Sequence, residues 1–269
     1  MLKERLLTAL VAGSLLLAGL IFLNTLGVAV LLGAVTLLAA FEWSSLVRPG
    51  RATGLAYVAV TAIVGVASLA LPLVVIVAAA LVWWTWAAGE VFVFRDRASP
   101  LWQPATLRWL AGLLVLVPAW RGCLALKTQD PSHPGLLIWL LAMVWAADSV
   151  AYFAGRAFGR RKLAPLVSPG KTVEGALGGV AGAALIGAAG AWWLALPPLG
   201  PGDGVLLGGA VAMLSIVGDL LESKAKRLAA VKDSGRWLPG HGGVLDRIDA
   251  LTAAVPLFVW TMRDLGVLR

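Results

Sequence analysis

The chain has 269 residues, 60% of them hydrophobic and 13% charged, with a net charge of +8, a pI near 10.3 and a mean hydropathy of +0.88. A soluble domain carries about 25% charged residues, so this composition excludes a soluble globular fold and describes an integral membrane protein. The positive balance is then ascribed to the positive-inside bias and to anionic lipid headgroups, nucleic acid is not expected as a partner, and the lone Cys123 excludes an internal disulfide and a cysteine-based metal site.

A membrane-spanning helix needs about 20 apolar residues. Charges, prolines and glycines divide the hydrophobic runs into nine such segments, near 6–23, 26–46, 54–71, 73–94, 106–126, 135–157, 173–196, 204–225 and 246–263. The breaks at Asn24-Thr25 and Leu71-Pro72 rest on very short connections. Barrel-type alternation is absent. The expected fold class is therefore all-α: a polytopic membrane protein with about nine transmembrane helices. About five helices fall in residues 1–133, and a C-terminal catalytic region, 134–269, carries two cytoplasmic polar blocks. Met1 to Ile21 has the charged start and apolar run of a secretory signal, but a second span follows at once, so it reads as the first membrane helix.

Within the spans, Gly175, Gly178, Gly179, Gly182, Gly187 and Gly190 have the spacing that lets helices approach closely in lipid. Trp83, Trp84, Trp86, Trp192 and Trp193 read as interface anchors. Glu42 and Glu90 have no motif around them and read as structurally paired or snorkelling acids. With nine spans, most of the 22 basic residues fall on the side of the N-terminus, and only Arg121, Lys127, Arg263 and Arg269 fall on the other. The positive-inside rule places the N-terminus and both polar blocks in the cytoplasm.

The first block begins with Asp148, a carboxylate at membrane depth with Tyr152 one turn later on the same helix face; such an acid is functional by default. Further on, Ser168-Pro169-Gly170-Lys171-Thr172-Val173-Glu174 leads into the seventh span. Lys171 and Thr172 then sit near a helix N-terminus, where free N–H groups and the macrodipole favour anions. Gly170-Lys171-Thr172 imitates the end of a P-loop, but Leu166 stands where the required glycine would be and no strand–loop–helix setting is expected, so a Walker motif is rejected.

The second block, residues 219 to 249, is the densest polar stretch of the chain. Asp219 with Glu222, and Asp246 with Asp249, are pairs at i and i+3, each expected on one helix face. Four carboxylates at neighbouring helix ends repel one another unless cations lie between them, and hard oxygens of this kind suit Mg²⁺. Lys224, Lys226, Arg227, Lys232, Arg236 and Arg247 lie among the acids, a mixture suited to a metal-bound polyphosphate. His241 sits in Pro239-Gly240-His241-Gly242-Gly243, where backbone N–H groups can approach a phosphate closely.

This stretch resembles the C-terminal signature of the phosphatidate cytidylyltransferases, or CDP-diacylglycerol synthases. The matching elements are Ser223, Lys226-Arg227, Lys232-Asp233, His241-Gly242-Gly243 and Asp246-Arg247-Ile248-Asp249. Asp148, Tyr152, Gly155-Arg156, Phe158-Gly159-Arg160 and the run from Ser168 to Gly175 resemble the family's upstream polar segment, so that the likeness covers roughly residues 140–260. It implies transfer of a cytidylyl group from CTP to phosphatidic acid, giving CDP-diacylglycerol and pyrophosphate for phospholipid biosynthesis. It further implies a multi-pass protein of the inner (plasma) membrane with its site facing the cytoplasm, Mg²⁺ with room for a second cation, and a family-style homodimer. Asp219, Asp246, Asp249, Lys226 and Arg227 would form the catalytic set, with Asp219, Asp246, Asp249 and Glu222 as metal ligands. Asp148, Tyr152, Ser168, Lys171, Thr172, Glu174, Ser223, Lys232, Asp233, His241, Gly242, Gly243 and Arg247 would bind substrate. A membrane kinase would share the metals and bases without needing the whole signature. A transporter would place its charges near the midplane.

Overall fold

The structure, a computed structural model, describes residues 2–93, 102–129, 135–237 and 242–268. Among them nine helices follow one another: α1 (Leu2–Phe22), α2 (Thr25–Val47), α3 (Arg51–Ala67), α4 (Leu73–Val93), α5 (Ala105–Gln129), α6 (Gly135–Phe158), α7 (Val173–Leu194), α8 (Pro201–Leu228) and α9 (Leu245–Asp264). The two short connections expected from sequence are real breaks. Asn24 caps α2 by accepting a hydrogen bond from the Gly27 amide at 2.8 Å. After α3 a 3₁₀ turn, Ser68–Ala70, runs up to Pro72, which cannot continue a helix.

Helices α2 to α8, with the 3₁₀ turn added to α3, are seven segments long and apolar enough to cross a membrane. In α1 the apolar part is the shorter Leu10–Phe22. Helix α9 starts with Asp246, Arg247 and Asp249 but packs on α2, α4, α5, α6 and α8. A helix encased by others faces protein rather than lipid, so it needs less apolar girth than its neighbours. Its Ala253, Ala254, Val255, Phe258, Val259 and Met262 are completely buried.

Two adjustments to the expected elements affect the site. Helix α8 extends to Leu228, which puts Lys226 and Arg227 on its last turn rather than in a loop. The segment before α7 is a small antiparallel hairpin, β1 (Lys162–Ala164) with β2 (Ser168–Thr172), where a loop was expected. Ala164 and Val167 are buried and tie it to the bundle. β2 runs straight into α7, so the strand–helix junction has no phosphate loop between its parts.

Glycines set the packing of α6, α7 and α8. A Cβ at Gly179 would lie 2.7 Å from the Ala147 carbonyl oxygen of α6, and one at Gly187 would collide with the Gly204 carbonyl of α8. Both backbones therefore come as close as bare glycine permits. The tryptophans divide differently from expectation. Trp192 and Trp193 are 72% and 79% exposed, as interface anchors would be. Trp84 is buried, and Trp83 and Trp86 cluster with Trp102 at ring-centroid distances of 4.8 to 5.9 Å. The α4 tryptophans are thus packing residues, because α4 lies against α5, α8 and α9.

Replacing Gly187 with Ala should push α7 off α8 and cost about 1–3 kcal/mol, the usual penalty of overpacking. Gly89→Ala, inside α4 at a position with nothing within 4 Å of the added methyl, should instead leave stability unchanged or raise it by up to about 1 kcal/mol. Thermal unfolding of both variants in detergent reads the difference directly.

Candidate active site

Where α6 ends and α7 begins there is a cavity of about 800 Å³, with Gly155, Gly175, Ala176 and Gly179 on its wall. The two polar blocks meet around it. Asp148, Tyr152 and Arg156 come from α6, Lys171 and Thr172 from β2, Asp219 and Lys226 from α8, and Asp246, Arg247 and Asp249 from α9; Asp233 arrives from the α8–α9 connection. Five aspartates and four basic side chains therefore share one space. Ten of the residues expected at a site, from Asp148 to Asp249, lie on its wall.

Lysines hold two of these acids. Lys171 of β2 forms an ion pair with Asp219 of α8, joining the two polar blocks across the cavity. Lys226 bridges Glu222 at 2.6 Å, one turn back on α8, and Asp246 Oδ1 at 2.5 Å on α9. The other oxygen of Asp246 accepts from the Gly243 amide at 2.8 Å and from both the amide and the hydroxyl of Ser234 at 3.0 Å. Both of its oxygens are thereby engaged. Gly242 sits at φ +79°, a left-handed conformation that favours glycine, and brings the Gly243 amide onto that carboxylate.

The i and i+3 pair on α8 does not act as one unit. Residues three apart differ by about 60° around a helix axis, enough here to aim Asp219 into the cavity and Glu222 behind Lys226. Glu222 is 2% exposed and does not line the cavity. Among the described residues no three or more Asp, Glu, His or Cys side chains converge as a ready-made metal cluster.

Several expected site residues shape the cavity, Thr172 from its wall and the others from beside it. Thr172 caps α7 by accepting from the Gly175 amide at 3.1 Å. Glu174 reaches back from α7 to the amides of Arg160 and Arg161 at 3.0 and 3.1 Å, fixing the turn out of α6. Arg227 donates from Nε to the Val167 carbonyl at 3.2 Å, tying α8 to the hairpin. Ser223 donates to Asp219 at 3.2 Å. Ser168 is in the hairpin ladder opposite Ala164, and Lys232 is exposed in the connection; neither lines the cavity. His241 lies outside the described residues.

Two contributors were not singled out as site residues from sequence. Arg156 lines the cavity and donates to the Tyr152 hydroxyl at 3.3 Å; its position one turn after Tyr152 was the available signal. Ser234, following Asp233, holds Asp246 and carried no signal of its own. Glu90 has the structural pairing expected of it, an ion pair of 2.7 Å with Lys224.

Comparisons with known proteins identify the family. The model described as "Cytidylyltransferase family" matches residues 3–264, and the chain belongs to that family. It is 46% identical over 261 residues to a protein of Pseudomonas aeruginosa named phosphatidate cytidylyltransferase, covering 96% of each chain. A protein of the same name from Haemophilus influenzae is 37% identical, with 96% of this chain and 97% of the relative covered. A third, from Synechocystis, is 50% identical over 133 residues, 47% of this chain and 45% of the relative.

Lys226→Met removes the cation shared by Glu222 and Asp246 and leaves two carboxylates facing each other in a poorly solvated place. The expected loss of stability is about 3–5 kcal/mol, and Lys226→Met with Glu222→Gln should recover part of it. Unfolding temperatures of the two variants in detergent, against wild type, check this.

Proposed function

We infer that this chain transfers the cytidylyl group of CTP to phosphatidic acid, releasing pyrophosphate and leaving CDP-diacylglycerol for phospholipid synthesis. The observation that carries the reading is the meeting of both polar blocks, acids and bases together, on one cavity at the end of a membrane bundle. Family membership and the shared name of near-full-length relatives support it.

In the reaction a phosphate oxygen of phosphatidic acid attacks the α-phosphorus of CTP, a new P–O bond forms, and the bond to pyrophosphate breaks. The nucleophile is already anionic, so the demand on the protein is to bring phosphates together and stabilise the charge on the leaving group. Lys171, Lys226, Arg156 and Arg247 supply positive charge on the cavity wall for this. Phe153 is 68% exposed and its ring centroid lies 5.3 Å from that of Tyr152, so apolar surface for acyl chains adjoins a residue of the polar cavity.

Hard carboxylate oxygens facing a polar cavity fit Mg²⁺. Asp219 and Asp249 would hold it: both line the cavity, Asp219 held there by Lys171 and the Ser223 hydroxyl and Asp249 with one oxygen on the Ala250 amide, whereas Asp246 is held by Lys226, Ser234 and the Gly243 amide together and Glu222 is turned toward Lys226. When bound, the ion would neutralise phosphate charge. In this assignment Asp246 and Glu222 serve to place Lys226. The bias of basic residues to one side supports a cavity at the cytoplasmic face of the inner membrane, where CTP is found.

Purified protein in detergent with phosphatidic acid and Mg²⁺ should release pyrophosphate with CTP and not with ATP. Asp219→Asn and Asp246→Asn should each lower that rate at least about 100-fold, and chelation of the metal should abolish it. A nucleoside diphosphate as product would instead indicate a lipid kinase.

Orientation is checked by cysteine labelling in a Cys123→Ala background. Arg236→Cys should react with a membrane-impermeant maleimide from the cytoplasmic side, and Ala195→Cys, in the turn between α7 and α8, from the opposite side. The reverse pattern would overturn the proposed sidedness.

A further inference from the structure

Glu42 lies in a hydrophobic stretch of α2, nearly 200 residues before the signature, and is 2% exposed. Among the described residues its hydrogen-bond partners are a hydroxyl and two backbone amides, with no lysine or arginine. Oε1 accepts from the Val244 amide at 3.0 Å, and Oε2 accepts from the Leu245 amide at 2.7 Å and from the Ser234 hydroxyl at 3.0 Å. The acid therefore caps the start of α9 from another helix, where free N–H groups and the positive end of the dipole favour an anion.

The connection between α8 and α9 is wrapped around this carboxylate. A Cβ at Gly235 would collide with Glu42 Oε1, and a Cβ at Gly243 would lie 2.5 Å from Oε2. Two glycines are thus needed for the chain to close on a single side chain. Ser234, held by Glu42 on one side, meets Asp246 Oδ2 at 3.0 Å on the other. A hydroxyl has one proton, so Ser234 Oγ donates to one acid at a time while its amide stays on Asp246. Asp246 in turn holds Lys226. The anchor itself is fixed, because the neighbouring Trp43 is buried and donates to the Arg108 carbonyl of α5 at 2.8 Å.

We propose that Glu42 is a positioning residue for the cytidylyl transfer: it sets the α8–α9 connection and the start of α9, and through Ser234 it sets Asp246 and Lys226 at the cavity. The proposal rests on the reaction assigned above. It gives Gly243 of the signature a physical task, the close passage over Glu42, and it makes an N-terminal helix part of the catalytic geometry without touching substrate.

Three variants test it: Glu42→Gln, Ser234→Ala and the double. Glu42→Gln keeps the shape but replaces one acceptor oxygen with a donor facing backbone N–H groups. It should lower kcat at least about tenfold, the scale of a lost charged hydrogen bond, with KM for CTP changed less than about threefold. Ser234→Ala leaves the cap on α9 intact and should also lower kcat, with the protein folded as wild type. Because both act through Asp246, the double variant should lose little more than Glu42→Gln alone. Hydrogen exchange at the Val244 and Leu245 amides should speed up in Glu42→Gln and stay unchanged in Ser234→Ala. Wild-type kcat in Ser234→Ala, or losses that multiply in the double, would reduce Glu42 to a helix cap and overturn the proposal. If wild type itself released no pyrophosphate, the assigned reaction would fall, while unchanged exchange in Glu42→Gln would separately refute the anchoring role. If Glu42→Gln fails to fold, the Ser234→Ala result still decides the link to Asp246.

Discussion

Lys226 is the charge on which the polar end of this bundle depends. It joins Glu222 and Asp246, and so joins α8 to α9, at a depth where either acid alone would be costly. The extension of α8 by one turn matters for this reason: only on the helix can Lys226 stand one turn from Glu222 and still reach α9. The same rule governs the other buried acids. Glu90 meets Lys224 and Glu42 meets backbone amides, each solution exchanging water for a fixed partner.

Close helix approach supplies the second condition. Glycine contacts bring α6 onto α7 and α7 onto α8, and the Trp139 indole of α6 adds a hydrogen bond to the Ile186 carbonyl of α7 at 3.1 Å. The same run of small residues reaches back to the start of α7, where Gly175 and Gly179 also lie on the cavity wall. One stripe therefore packs two helices and borders the cavity. The fixed backbone on either side lets the hairpin carry Lys171 to Asp219 across the gap.

The helices were legible because hydrocarbon imposes a length on apolar runs and because Asn24 and Pro72 punctuate them chemically. The convergence of Asp148 and Tyr152 with Lys171, Asp219 and the Asp246–Asp249 pair was legible through the signature, whose spacing records a three-dimensional arrangement. The hairpin was not, since β1 and β2 are too short to show a period and owe their pairing to tertiary burial of Ala164 and Val167. Trp84 misled because a tryptophan in a span looks the same whether it meets lipid or another helix. Glu42 was visible as an intramembrane acid, yet its partners are amides, and backbone groups leave no trace in a sequence.

The ion pairs on the cavity wall also bear on how such a site handles phosphates. A cavity lined by unpaired lysines would bind any anion tightly, whereas one lined by unpaired aspartates would repel CTP. Pairing Lys171 with Asp219 avoids both, since each group is held at its station by the other. In the proposed reaction a cation at Asp219 and a phosphate at Lys171 would replace one salt bridge with two charge-matched contacts, and neither partner would leave its counter-charge cheaply unless the other ligand arrived. Under the proposed reaction this arrangement favours metal and nucleotide binding together over either alone. Asp246 and Lys226, held by Glu42 through Ser234 and by the Gly243 amide, lack that freedom and serve as the fixed edge against which the exchange takes place.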